Sequence, residues 1–162
     1  MPSALLFECH KILKDNKLTI SFAESATAGR LSSEFSLIPD SGEILKGGIV
    51  CYDACIKQDL LGVPKKLVEK YTPESAEITR ELASRLGKFM KADIQVAVTG
   101  LPMPGGSETP EKPVGTMFIH AIVKGKHLAA REIFKGTPEE VVLQTVDRVA
   151  RLIIDELSGE GP

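Results

Sequence analysis

The sequence is short of the residues on which disulfide, metal and membrane proteins are built. Its three cysteines, Cys9, Cys51 and Cys55, are odd in number and form no C-x-x-C pair. That argues against a disulfide framework or a zinc knuckle and suits a reducing, cytoplasmic setting. The three histidines, His10, His120 and His127, lack metal-ligand spacing such as H-E-x-x-H, so all three read as surface or hydrogen-bonded residues and no metal is expected. No apolar run approaches the ~20 residues that span a bilayer. Glu8 and Lys11 interrupt the N-terminal segment, which therefore reads as a helix rather than a signal sequence. Neither sign of charge dominates: the net charge is −2 with 26% charged residues. A nucleic-acid groove or a membrane-surface stripe is not expected. Internal repeats and linker-like stretches are also absent, so 162 residues are expected to form a single domain, 1–162.

What is present alternates between the two regular periods. Ser3 is placed to cap a helix whose Leu5, Cys9, Ile12 and Leu13 share a face. Leu18, Ile20 and Phe22 alternate as a strand, and a helix is expected over 26–36 with Leu31 and Phe35 one turn apart. A second strand is expected at Ile49–Tyr52, entered through Gly47-Gly48. Short helices follow over about 54–61 and 64–70, the first ended by Gly62 and the second opened by Pro64. Thr72-Pro73 is a cap-then-proline start for a helix to about residue 90, with Ile78, Leu82, Leu86 and Phe89 inward. Ile94, Val96 and Val98 make a third strand, and Val114–Val123 and His127–Phe134 make an antiparallel hairpin about Lys124-Gly125-Lys126. Thr137-Pro138-Glu139-Glu140 combines a capping box with proline at the first helical position, and the helix it opens should bury Val142, Val146, Val149, Ile153 and Leu157. This order implies an α/β fold: a single-domain layered α/β/α sandwich on a mixed sheet that includes one antiparallel hairpin.

In such sheets ligands lie beyond the carboxyl ends of the strands. Three features fall there: Ser25 after the first strand, Tyr52 to Lys57 after the second, and Gly100 to Gly115 after the third. A hydroxyl between a strand and a helix sits beside free helix N–H groups, where an oxyanion or phosphate is held; serine is equally a preferred helix cap. As a nucleophile Ser25 needs a base. Lys57 lies one helical turn past Tyr52-Asp53, projects back over the same edge, and serves as base if burial lowers its pKa. Tyr52 is either a proton relay or a core-edge residue. Glu24 reads better as a partner of the helix dipole than as the base. The loop T-G-L-P-M-P-G-G-S-E-T-P-E-K-P-V-G-T holds four prolines and four glycines. Gly100-x4-Gly105-Gly106 lacks the lysine of an NTPase phosphate loop. Its free N–H groups still suit a single phosphate or a carboxamide, with Lys112 as counter-charge.

Ala23-Glu24-Ser25-Ala26-Thr27-Ala28-Gly29, Val50-Cys51-Tyr52-Asp53-Ala54-Cys55-Ile56-Lys57, Leu61-Gly62-Val63-Pro64, Ala97-Val98-Thr99-Gly100 through Gly106, and Pro110 to Thr116 occur in this order. Together they resemble the CinA C-terminal domain family, the nicotinamide-nucleotide amidases. The resemblance implies hydrolysis of the carboxamide of nicotinamide mononucleotide to nicotinate mononucleotide and ammonia, with no cofactor. It implies Ser25 as nucleophile, Lys57 assisted by Tyr52 as proton shuttle, N–H groups of Ala26, Thr27, Ala28 and Gly29 around the oxyanion, and Gly100, Gly105 and Gly106 toward the nucleotide. It further implies a stand-alone form of a domain that longer relatives carry beside another, and a homo-oligomer is expected. A nucleotide-binding regulatory homologue and an amidase of shifted substrate share the same motifs. Against the family pattern, Ala26 and Ala28 replace cysteine and glycine, and Pro102-Met103 replace Ala-Gly. Asp53-Ala54 replace Ser-Asn, and that carboxylate is expected to raise the pKa of Lys57. An arginine is missing at Pro138, with Arg131 or Lys135 as candidates to replace it.

Overall fold

The computed structural model describes residues 1–159; Glu160–Pro162 of the expected domain lie outside the described residues. Five strands form one mixed sheet in the order β2-β1-β3-β4-β5. β1 (Ile20–Glu24) is central and pairs in parallel with β2 (Leu45–Val50) and β3 (Ile94–Gly100). β3 pairs antiparallel with β4 (Thr116–Val123), which pairs antiparallel with β5 (Lys126–Ile133). All five residues of β1 are buried, as expected of a strand covered on both faces. Lys124 and Gly125 turn the β4–β5 hairpin with φ of 48° and 84°, the two positive values that a type I′ turn requires.

Among the described residues six α-helices cover the two faces. On one side α1 (Ala4–Asp15), α2 (Arg30–Ser36) and α6 (Pro138–Leu157) pack on Ile20, Phe22, Val96, Val98 and Ile119. The Phe22 and Phe35 rings, 5.1 Å apart and tilted, join β1 to α2. On the other side α3 (Ala54–Leu61), α4 (Lys65–Tyr71) and α5 (Ala76–Phe89) close over Ala23 and Ala97. Both faces are thus filled, and the sequence-derived α/β sandwich with its hairpin is the observed architecture. No helix among the described residues is long and apolar enough to cross a membrane.

Several elements differ from the sequence reading. The helix expected from residue 26 begins at Arg30, because residues 26–29 form a turn instead. The second strand runs from Leu45 to Val50, so Gly47 and Gly48 lie inside it. Gly48 has a packing reason: a Cβ there would meet Ser32 Oγ at 2.1 Å. α5 is capped by Ser75, whose hydroxyl accepts from Ile78 N, and not by Thr72. Phe89 is half exposed. α1 turns Leu6 and His10 into the core where Leu5 and Ile12 were expected, and α6 buries Val141 in place of Val142. Both helices bury a stripe wider than one residue per turn. His10 is buried with Nε2 unpartnered among the described residues, unlike His120, whose Nε2 pairs with His127 Nδ1 at 2.8 Å.

The expected capping box is present: Glu140 N donates to Thr137 Oγ1 at 3.2 Å, and Thr137 N donates to Glu140 Oε2 at 2.7 Å. Thr137→Ala removes one half of it and should lower unfolding free energy by about 1 kcal/mol, read as a reduced midpoint in urea with unchanged slope.

Candidate active site

The parallel register decides which residues meet. Glu24 pairs with Val50 on one side and Val98 on the other, so three strands end together. The next residues stay in register: Ser25 N donates to Val98 O at 3.0 Å, and Cys51 N donates to Glu24 O at 2.9 Å. Ser25, Cys51-Tyr52 and Thr99-Gly100 therefore form one edge.

Glu24 fixes the chain beyond that edge. Its carboxylate is fully buried and accepts four hydrogen bonds: from Thr27 Oγ1 at 2.7 Å, Leu31 N at 2.7 Å, Ser32 N at 3.0 Å and Ser32 Oγ at 2.7 Å. The N-terminal N–H groups of α2 are thereby taken by Glu24, in the helix-dipole role expected of it. Ser25 is left uncommitted. It lies before a turn whose Ala28 and Gly29 have φ of 47° and 96°, four residues ahead of the helical cap it was one candidate to provide. Among the described residues the N–H groups of Ala26 and Thr27 donate to no acceptor.

Lys57 comes from α3. Asp53 caps that helix, accepting from Cys55 N at 2.7 Å, and the first turn swings Lys57 back under the sheet edge. Its Nζ lies 2.8 Å from Ser25 Oγ, 2.9 Å from the Cys51 carbonyl and 3.2 Å from the Tyr52 carbonyl. Lys57 is 1% exposed and Ser25 7%. Burial pushes the lysine pKa down, against the smaller upward pull of Cys51, Glu74 and Asp53. The Asp53 carboxylate thus does not control the lysine as its sequence position suggested; desolvation outweighs it. The geometry suits either protonation state. An ammonium donates to all three oxygens, whereas a neutral amine donates to the two carbonyls and turns its lone pair to the serine hydroxyl.

Two neighbouring cavities, sharing Ala26, Tyr52, Pro102 and Met103 as lining, lie on the Ser25 side of this pair. The inner one, about 190 Å³, is lined by Ser25, Ala26, Tyr52, Glu74 and the Gly100–Gly106 loop. The outer cleft, about 720 Å³, is lined by residues 26–30, Ser33, Tyr52, Pro102, Met103, Pro138, Glu139 and Val142. Tyr52, 59% exposed as a residue, lines both and meets Lys57 through its carbonyl rather than its hydroxyl.

The loop residues behave differently from expectation. The N–H groups of Gly105 and Gly106 already donate to Glu108 at 3.0 and 2.9 Å. Lys112 Nζ spends its three donors on Thr72 Oγ1 at 2.7 Å, the Glu74 carbonyl at 2.8 Å and Ser107 Oγ at 2.8 Å. It pins the loop and has no donor left as counter-charge for a ligand. Neither Arg131 nor Lys135 lines the cleft: Arg131 stacks over Phe118 and donates to the Glu111 carbonyl, and Lys135 borders a separate surface hollow. The cation that does line it is Arg30, held by Glu34 at 2.9 Å and Glu139 at 3.3 Å. Arg30 escaped the sequence reading, although a basic residue directly after the Ser25 turn was a visible signal.

The fold is a helix-covered, five-stranded mixed sheet among the described residues, with a buried serine–lysine pair at the shared strand ends. The profile of the CinA C-terminal domain matches residues 3–157. The chain is 40% identical over 126 residues to a CinA-like protein of Thermotoga maritima, covering 78% of this chain and 30% of that protein. It spans about a third of the length of the curated relatives it matches. The structure is similar to a CinA superfamily protein of Klebsiella pneumoniae (TM-score 0.90, 24% identity, 96% of both chains). It is also similar to the competence/damage inducible protein CihA of Agrobacterium tumefaciens (TM-score 0.88, 26% identity, 98% of both chains). The chain belongs to the CinA C-terminal domain family.

Ala28 holds a left-handed conformation in which its Cβ is strained. Ala28→Gly should therefore raise unfolding free energy by about 1 kcal/mol, measured as an upward shift in the thermal midpoint.

Proposed function

We propose that the protein is an amidohydrolase that converts the carboxamide of nicotinamide mononucleotide to the carboxylate of nicotinate mononucleotide, releasing ammonia. The observation that carries this reading is the 2.8 Å contact between Lys57 Nζ and Ser25 Oγ, both buried beside a cavity. Neutral Lys57 takes the Ser25 proton as Oγ attacks the amide carbon. The tetrahedral oxyanion faces the Ala26 and Thr27 N–H groups. Lys57 returns the proton to the departing nitrogen, leaving a seryl ester. Water, deprotonated by the same lysine, then attacks the ester and frees the acid. Nucleophile and base are both side chains of this chain, so the chemistry calls for no metal or organic cofactor. The family match and the two-part cavity support this substrate, with the carboxamide inside and the ribose phosphate outside, near Arg30.

Purified protein should release ammonia from nicotinamide mononucleotide, and Ser25→Ala and Lys57→Ala should each slow release at least about a thousandfold. Nucleotide binding without turnover by the unmodified protein would overturn the reading in favour of a ligand-binding role. Release untouched by either substitution would remove the pair from the mechanism.

The pH dependence follows from the lysine. Only the neutral amine accepts a proton, and burial lowers its pKa, so kcat/KM should rise with pH and level off below the ordinary lysine value of 10.5. Between the folded-state value and 10.5 the unfolded chain binds more protons, so stability should also rise with pH across that window. Rate–pH profiles and urea titrations at matched pH check both.

A further inference from the structure

Apart from its small upward pull on the Lys57 pKa, Glu74 has no part in the steps above, yet it lines the inner cavity together with Ser25. Its side chain is held from one side only. Oε2 accepts from Ser107 Oγ, while Oε1 takes no hydrogen bond among the described residues. Oε1 lies against the loop, 3.4 Å from where a Cβ on Gly106 would stand. The Lys112 ammonium binds Ser107 Oγ and the Glu74 carbonyl, which fixes the backbone and the serine that orient this carboxylate. The cavity of about 190 Å³ has room for roughly six waters. It is therefore lined by the candidate nucleophile, by Ala26 with its unpaired N–H, and by a carboxylate with one oxygen that takes no hydrogen bond among the described residues.

We infer that Glu74 selects the substrate's functional group: its free oxygen accepts an N–H of a primary carboxamide bound at Ser25 and repels the carboxylate formed by hydrolysis. This assignment rests on the amidohydrolase reading. A carboxamide carries two N–H donors, and a carboxylate carries only acceptors and a negative charge. In a small cavity two like charges held close together are disfavoured. The amide nitrogen then points toward Glu74 while its oxygen points toward Ala26 and Thr27, which presents the carbonyl carbon to Ser25 Oγ. After hydrolysis the same side chain drives out the acid.

Equilibrium binding in a Ser25→Ala background separates this role from loop support. Nicotinamide mononucleotide should bind at least tenfold more tightly than nicotinate mononucleotide. Adding Glu74→Gln, which keeps an acceptor for Ser107 but removes the charge, should tighten the acid at least tenfold and erase the preference. Adding Ser107→Ala instead, which cuts the clamp but leaves the carboxylate, should preserve it. The same comparison with nicotinamide and nicotinate, followed by saturation-transfer NMR, tests the cavity without the nucleotide. An amide-over-acid preference unchanged in Glu74→Gln, or lost equally in Ser107→Ala, would overturn the inference. If neither nucleotide binds but the nicotinamide preference persists and depends on Glu74, the inference stands and the nucleotide substrate falls.

Discussion

The buried Glu24 carboxylate is the constraint from which the site's geometry follows. A charge with no exposure is tolerated only when its oxygens are fully hydrogen-bonded. Glu24 meets that demand with four donors drawn from the turn and the first residues of α2. Removing the acceptor would orphan the Leu31 and Ser32 N–H groups, at a cost of about 1–3 kcal/mol for the buried Leu31 N–H and less for the partly buried Ser32 N–H. Because the helix is capped from the strand, the turn between them has a fixed course. Ser25 is thereby held at the sheet edge without having to serve as a cap itself. Gly48 completes the arrangement, since only a residue lacking Cβ leaves Ser32 Oγ the space it occupies above β2.

A second constraint concerns charge. An unpaired buried ammonium is costly, and Lys57 has no carboxylate within ion-pair distance among the described residues. Three neutral oxygens surround it. This differs from the surface lysines of the chain, such as Lys11 and Lys14, which pair with Asp15 and Asp40. Neutral acceptors satisfy the N–H groups without stabilising the positive charge as strongly as an anion would, so burial is left to lower the lysine pKa. The two carbonyls belong to the residues just beyond β2, whose course is set by parallel pairing with β1. Backbone topology and side-chain basicity are therefore one design.

Much of this was visible in the residues. Alternation at Ile20 and Phe22, at Ile94 to Val98 and in the hairpin marked the strands: in β1 and β3 large apolar side chains fill one core while Ala23 and Ala97 face the other, and in β5 burial itself alternates. Thr137 and Glu140 marked a helix start, because both caps are local in sequence. Ser25 and Lys57 were legible as candidates from their places after two strands. Their separation and burial were not, since both depend on the β1–β2 register. Local patterns also failed where a distant group took over. The 26–29 segment has helix-compatible residues, but Glu24 satisfies the helix N–H groups from Leu31 onward and the turn is left free. Lys112 read as a free cation in a loop, yet its donors go to Thr72 and Glu74, some forty residues away in sequence. Arg30 entered the cleft by the same displacement of the helix start.

Glu108 gives the Gly105–Gly106 turn a different meaning. By accepting both N–H groups, its carboxylate makes the chain supply its own anion. The loop is thus ordered during folding, and its conformational entropy is lost before any ligand arrives. Any ligand entering the inner cavity meets a wall already in shape. An external phosphate seeking those N–H groups would instead have to displace a tethered competitor of the same charge, present at a high effective concentration. The loop is therefore a rigid wall of the inner cavity rather than an open phosphate cradle.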